Sequence, residues 1–219
     1  VPTVADWSSL GPTITENAAV SPDGGSNATR ATGSGAASAQ YISGGVPTQT
    51  IGVVHTYSMY FKTETAGFLQ FVASKPSNSY VNVNASTLAL GTVGAAASNV
   101  IVEDVGNGWA RLSFNYTPDN GSNTITAGII SSATAARLEN NSLSTSALFY
   151  GFQSEVGSTP SSYNPTNGSA ATRAAETLTV AAANMPWPTP VVIGDELVTD
   201  ALVDTGGYWN NRTGGVTVG

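Results

Sequence analysis

The chain has 219 residues, a net charge of −7 and no cysteine, a length that suits one sandwich domain of ordinary size with some residues left over. The acid excess leaves no basic footprint for a nucleic acid or an anionic membrane, and the missing cysteines exclude disulfides and thiolate metal sites. Charged residues make up 10% of the chain, against about 25% in an average globular protein, so the surface must be built mainly of Ser, Thr, Asn and Gly.

Taken in chain order, the strand signals are frequent and the helical ones poor. No apolar run approaches the ~20 residues needed to span a bilayer, and no long stretch repeats apolar residues at helical spacing. The chain begins at Val1 with neither Met nor a signal-like stretch, and reads as a fragment or processed product. Pro22-Asp23-Gly24-Gly25 is a turn, and Gly44-Gly45 reads as another. Val53 to Phe61 is β-branched and aromatic, with Val53, Tyr57, Met59 and Phe61 on one face and Thr56, Ser58 and Lys62 on the other. Tyr80 to Asn84 alternates, and Asn99 to Val105 is a strand with an acidic end.

Gly106-Asn107-Gly108 then makes a tight hairpin, because Gly and Asn accept positive φ. Trp109 to Thr117 puts Leu112, Phe114 and Tyr116 on one face and Arg111, Ser113 and Asn115 on the other. After the turn at Pro118-Asp119-Asn120-Gly121, Asn123 to Ser131 places Ile125 and Ile129 together. Ala147 to Val156 is expected to carry Leu148, Tyr150, Phe152 and Val156 on one face, with Gln153 and Glu155 opposite. Many short strands, Gly/Pro/Asn turns and no crossover helices predict an all-β, two-sheet antiparallel β-sandwich or jelly roll.

Three segments carry a resemblance. They are Glu103 to Ser113, Tyr150-Gly-Phe-Gln153-Ser-Glu155-Val-Gly157 running on to Ser162-Tyr163-Asn164-Pro165-Thr166-Asn167-Gly168, and Thr172-Arg173-Ala174-Ala175-Glu176. Together with Trp7 and the stretch Thr15 to Thr29, they resemble the jelly-roll, carbohydrate-binding-module-like domains of tailed-bacteriophage structural proteins. One departure is Asn164, where that family usually has an aliphatic residue. The resemblance implies a virion protein, a fibre or surface appendage on the outside of a capsid or tail. It also implies copies of itself, a homotrimer by analogy, and other virion proteins as partners, with a host cell-surface glycan as ligand. The alternative is a carbohydrate-binding module of a bacterial extracellular glycoside hydrolase.

The expected organisation is a jelly roll over residues 1–176, a Pro-rich linker or arm over 177–193 around Trp187, and a docking arm or truncated second β module over 194–219.

The candidate chemistry is sparse. His55 is the sole histidine, so a histidine-based triad or a several-histidine zinc site lacks its members, and a structural role is the simpler reading. Glu103 and Asp104 are adjacent on a strand and point to opposite faces, poor geometry for a glycosidase pair. No enzyme is expected. Trp109, Gln153 and Glu155 are the candidate carbohydrate contacts, a stacking ring beside a polar row. Against that, Trp109 suits the core on a second sheet surface, and Glu155 suits an anchor for the irregular segment Ser158 to Pro165 or for Arg111 or Arg173. No cofactor is expected. Oxygen ligands at Asp23, Asp104 or Glu155 would suit a structural calcium, although no Asp-rich loop with ligand spacing exists.

Overall fold

The computed structural model describes residues 7–166. The arm expected at 177–193 with Trp187, the segment 194–219, and the Thr172 to Glu176 motif with Arg173 lie outside the described residues.

Thirteen strands and no helix make up the described part. They are β1 (Trp7–Leu10), β2 (Thr13–Ala19), β3 (Ala28–Thr32), β4 (Ser38–Gly45), β5 (His55–Thr63), β6 (Phe68–Ala73), β7 (Tyr80–Asn84), β8 (Leu90–Val93), β9 (Ser98–Gly106), β10 (Trp109–Tyr116), β11 (Thr124–Ile130), β12 (Asn140–Asn141) and β13 (Ser146–Val156). They form two antiparallel sheets. The front sheet runs β1-β4-β11-β6-β7-β8, with β12 added on β4, and the back sheet runs β2-β3-β13-β5-β10-β9. Consecutive strands switch sheets repeatedly, as between β4, β5 and β6, so the chain wraps around a shared core.

Alternation on facing strands builds that core. The back sheet turns Tyr57, Met59 and Phe61 of β5 inward beside Leu112, Phe114 and Tyr116 of β10 and Phe149 of β13. The front sheet answers with Leu69 and Phe71 of β6, Val81 and Val83 of β7, and Ile125 and Ile129 of β11. Burying one such side chain stabilises by roughly 1.5–3 kcal/mol. Phe61 and Phe71 meet between the sheets with ring centroids 5.2 Å apart, and the Tyr57 hydroxyl reaches from the back sheet to the Thr126 carbonyl of the front sheet at 3.3 Å.

Some boundaries differ from the sequence reading. Gly44 and Gly45 close β4 instead of turning, since neither takes the positive φ of a turn and both keep register with β11. The β5 strand begins at His55, so Val53 and Val54 lie exposed in the preceding turn.

The outer face of the front sheet is partly roofed by residues 131–139, and two fully buried amides fasten that roof. Gln70 Nε2 donates to Asn82 Oδ1 at 2.8 Å and to the Ala136 carbonyl at 3.1 Å, while Gln70 Oε1 accepts from Leu138 N at 2.6 Å. Asn82 Nδ2 donates to the carbonyls of Ala133 and Ala135 at 3.1 and 2.9 Å. Gln70→Leu keeps the volume and strands the partners of three bonds, so it should cost about 2–4 kcal/mol. Urea unfolding would show a lower midpoint with an unchanged slope.

Candidate functional site

The back sheet's outer face holds the three candidate carbohydrate contacts, Trp109, Gln153 and Glu155. From β10 it shows Trp109, Arg111, Ser113 and Asn115, and from β5 Thr56, Ser58, Tyr60 and Lys62. On β13 the face changes character partway along, and a bulge is the cause. Tyr150 pairs Tyr60, but Gln153 pairs Ser58, so Gly151 and Phe152 together oppose Met59. Gly151 carries φ +64°, a conformation that a side chain strains. The extra residue shifts the alternation by one. Leu148, Tyr150, Gln153 and Glu155 therefore share the outer face, whereas Phe152 packs against the inter-sheet core. The expectation that Gln153 and Glu155 oppose Leu148 and Tyr150 is thus corrected.

Before the bulge, the face is apolar. Trp109 is 4% exposed and packs with Ala28, Leu148 and Tyr150, flanked by Tyr60 and Tyr163. It lies on the face opposite Leu112 and Phe114, and its Nε1 donates to the Val20 carbonyl at 3.2 Å. The Tyr150 hydroxyl donates to Asp23 Oδ2 at 2.6 Å, tying the β2–β3 turn to the same cluster. Hydrogen bonds from Ser21, Tyr150 and the Gly25 amide hold the Asp23 carboxyl well below the usual carboxylate range. Burial and the neighbouring Asp23 push the Tyr150 phenol well up.

Past the bulge, the face is polar and covered. Residues 157–164 turn back over it as a strap. Thr56 Oγ1 donates to the Gly157 carbonyl at 2.8 Å, Asn115 Nδ2 to the Ser158 carbonyl at 3.0 Å, and Arg111 Nη2 to the Ser161 carbonyl at 2.6 Å. Glu155 accepts from both Ser161 N and Ser161 Oγ, at 2.8 and 2.7 Å. Gln153 Nε2 donates to Glu155 Oε1 at 2.8 Å, and Gln153 Oε1 accepts from Asn164 N at 2.9 Å. Asn164 thus joins the strap through its backbone. Arg111 also lies over the Tyr60 ring, 5.2 Å from its centroid.

The remaining candidates are apart from this face. His55 is buried, with Nδ1 2.9 Å from the Val53 carbonyl and its ring 5.9 Å from that of Tyr116. Glu103 and Asp104 lie exposed on the edge strand β9, where Asp104 Oδ1 accepts from Gly106 N at 2.8 Å.

The front sheet carries a second polar surface that the sequence reading missed. Across β1, β4 and β11, Leu10 opposes Tyr41, which opposes Gly128, and Ser8 opposes Ser43, which opposes Thr126. Leu10 is 49% exposed, Tyr41 and Ser43 are half-buried, and Thr126 Oγ1 donates to Ser43 Oγ at 3.1 Å. None of these residues is charged. Gly128 packs close to Tyr41, where an added Cβ would lie 3.3 Å from Tyr41 Cβ and 3.1 Å from the Gln40 carbonyl oxygen. The strand pair β1 and β4 is short or Gly-rich, so its period-2 signal is weak. Ser8, Leu10, Tyr41 and Ser43 nonetheless alternate as one face requires.

No family model matches the chain, and no curated protein matches its sequence. Among solved structures, the chain is similar to the CBM22-1 xylan-binding domain from Paenibacillus barcinonensis, with 18% identity, TM-score 0.43, and coverage of 73% of this chain and 91% of that one. It is similar to TmCBM61, solved in complex with β-1,4-galactotriose, at 12% identity and TM-score 0.40 over 69% of this chain and 88% of that one. The enzymatically active domain of tailspike protein 4 of bacteriophage CBA120 is similar at 9% identity and TM-score 0.41, over 70% of this chain. The match spans only 20% of that tailspike chain. These likenesses are weak and say nothing of function.

Two variants probe how the back face is held. Glu155→Ala removes the acceptor of both Ser161 N and Ser161 Oγ, so amide exchange across residues 157–164 should quicken by roughly 10-fold or more, with a stability loss of about 1–2 kcal/mol. Gly151→Ala sets a Cβ 3.0 Å from the Tyr60 ring at φ +64°, and should lower stability by about 1–3 kcal/mol in thermal melts.

Proposed function

We propose that the chain is a non-catalytic display and binding module of a bacteriophage surface appendage, with neutral host glycans as ligands. Its other partners in this reading are copies of itself, as a homotrimer, and neighbouring virion proteins on the particle exterior. The observation that supports glycan binding is the uncharged hydroxyl-and-tyrosine shelf of Ser8, Leu10, Tyr41, Ser43 and Gly128. A half-buried phenol ring with hydroxyls on one side is chemistry that suits the apolar face and hydroxyl rim of a neutral sugar. A low-charge exterior also suits packing against other virion surfaces without strong field repulsion.

Two faces compete for the ligand. On the back sheet, Trp109 has little ring surface open to solvent, and Gln153 and Glu155 are bonded to the strap, so a sugar there would first have to displace residues 157–164. The front shelf requires no such rearrangement, and the reading places the contact there.

A glycan array with the intact chain tests this. Tyr41→Ala should lower binding about 5–10-fold, the worth of one aromatic contact of roughly 1–1.5 kcal/mol, while Gln153→Ala leaves it unchanged. The reverse pattern would move the site to Trp109, Gln153 and Glu155. Absence of any glycan signal for the unaltered chain would remove the ligand from the proposal. Sedimentation of the unaltered chain as a monomer at high concentration would remove the trimer.

A further inference from the structure

The tip of the β9–β10 hairpin is Gly106-Asn107-Gly108, and all three residues are exposed. An asparagine followed by glycine is open to attack by its own chain. The glycine's backbone nitrogen reaches the side-chain carbonyl carbon by closing a five-membered ring, and no Cβ shields that nitrogen. The sequence holds such pairs at Asn107, Asn120 and Asn167. Asn167-Gly168 lies outside the described residues. The Asn120 side chain is held, since its Oδ1 accepts from Ser122 N at 2.8 Å, and the Gly121 carbonyl accepts from Gln49 N at 2.9 Å. Among the described residues, no such bond holds the Asn107 side chain.

A cation from another strand stands at the same peptide. Lys62 Nζ of β5 donates to the Asn107 carbonyl at 2.7 Å, and its stem lies against Gly108, where an added Cβ would be 3.2 Å from Lys62 Cε. That carbonyl belongs to the peptide whose nitrogen is the attacking atom. When Gly108 N loses its proton, negative charge spreads onto the Asn107 oxygen, where the ammonium stabilises it. Ring closure also needs the Asn107 main chain to swing out of its left-handed conformation at φ +55°. The tip permits this swing. It ends the edge strand β9, and the β9–β10 register shifts between Trp109 and Ala110, so few bonds resist local opening. Lys62 follows on its flexible stem.

We propose that Asn107 is a self-modification site, converted to aspartate and isoaspartate through attack by the Gly108 nitrogen, with the Lys62 ammonium promoting the attack. Gly108 N gives its proton to water or hydroxide and bonds Asn107 Cγ. The Cγ–Nδ2 bond breaks, and that nitrogen takes up a proton from water and leaves as ammonia. Water then adds to a carbonyl of the succinimide ring. Opening at the side-chain carbonyl gives aspartate. Opening at the main-chain carbonyl gives isoaspartate, with an extra methylene in the backbone. Either product sets a new carboxylate beside Lys62, at a strand end that already exposes Glu103 and Asp104. Isoaspartate also lengthens a turn whose flanking residues, Gly106 and Trp109, pair directly, so it loosens the edge strand. This inference is independent of the glycan reading.

The intact chain, held at mildly alkaline pH and sampled over time by peptide mapping, tests this. The peptide containing Asn107 should exchange the mass of an ammonia for that of a water before the peptide containing Asn120 does. An isoaspartate-specific methyltransferase should label it, and hydroxylamine, which opens the ring intermediate, should cut the chain after Asn107. Conversion should quicken as pH rises, because the Gly108 nitrogen must lose its proton. Lys62→Met should slow conversion at Asn107 by roughly 2–5-fold, the worth of one exposed charge contact, and leave Asn120 unchanged. Lys62→Arg should keep most of the rate, and Asn107→Gln, whose longer side chain cannot close the five-membered ring, should remove the label at this position. An Asn107 that stays intact, or that converts after Asn120, would overturn the site. A rate that Lys62→Met leaves unchanged or raises would overturn the role of Lys62.

Discussion

The rest of the structure depends on the dry contact between two sheets, where Phe61 of the back sheet meets Phe71 of the front sheet. Around that pair, the rings of Tyr57 and Phe114 meet at a tilt with centroids 5.1 Å apart, and Leu69, Leu112, Val81, Val83 and Ile129 pack in the same core. A contact of this kind is non-directional and holds any pair of apolar faces together. What it does impose is that each strand on either sheet puts every second side chain inward. The outward side chains are then free to be polar, small and uncharged, as the composition allows.

That freedom creates a second requirement, because loops crossing a polar sheet surface need partners for their backbone groups. The chain meets it mostly with amides, and with charges at the strap, where Arg111 and Glu155 hold Ser161. Gln40 fastens the loop through Ser34 and Ala36. Gln70 and Asn82 fasten residues 131–139, and Asn115 fastens the strap at Ser158. Gln49 and Asn123 bond one another at 2.9 Å and link Tyr116, Ser154 and Lys75 at one end of the sandwich. An amide both donates and accepts, and burying it avoids the large desolvation cost of an ion. With the Arg30–Glu64 pair half-exposed at the surface, salt bridges contribute little here.

The parts legible in the sequence are those governed by alternation alone. Tyr80 to Asn84 appears with the expected bounds, the strand expected over Trp109 to Thr117 ends one residue sooner at Tyr116, and the inward set Leu112, Phe114 and Tyr116 is as period-2 spacing requires. The hairpin at Gly106-Asn107-Gly108 takes positive φ at all three residues, as its composition suggests. Alternation failed on β13, where one glycine at positive φ inserts a residue and inverts the faces downstream. A single chain cannot reveal that from periodicity, because Leu-Phe-Tyr-Gly-Phe reads equally well in either phase. The strap was equally hidden. Its anchors, Thr56, Arg111, Asn115, Gln153 and Glu155, come from three strands far apart in sequence, and only the bulge brings Gln153 and Glu155 onto the same face as the rest.

The bulge also explains why the two outer faces differ as surfaces for a partner. On the back sheet, it sets an apolar cluster and a polar row end to end. The β2–β3 turn closes over the first through Tyr150 and Trp109, and the strap closes over the second through Ser161. Any ligand there competes with intramolecular bonds that are already made. On the front sheet, the 131–139 roof is fastened to Gln70 of β6 and Asn82 of β7, and Leu10, Tyr41 and Ser43 of β1 and β4 stay exposed or half-buried. On the shelf, the hydroxyls of Ser8 and Thr126 bond only to Ser43 beside them, so a ligand there would face a smaller reorganisation cost than one that must lift the strap.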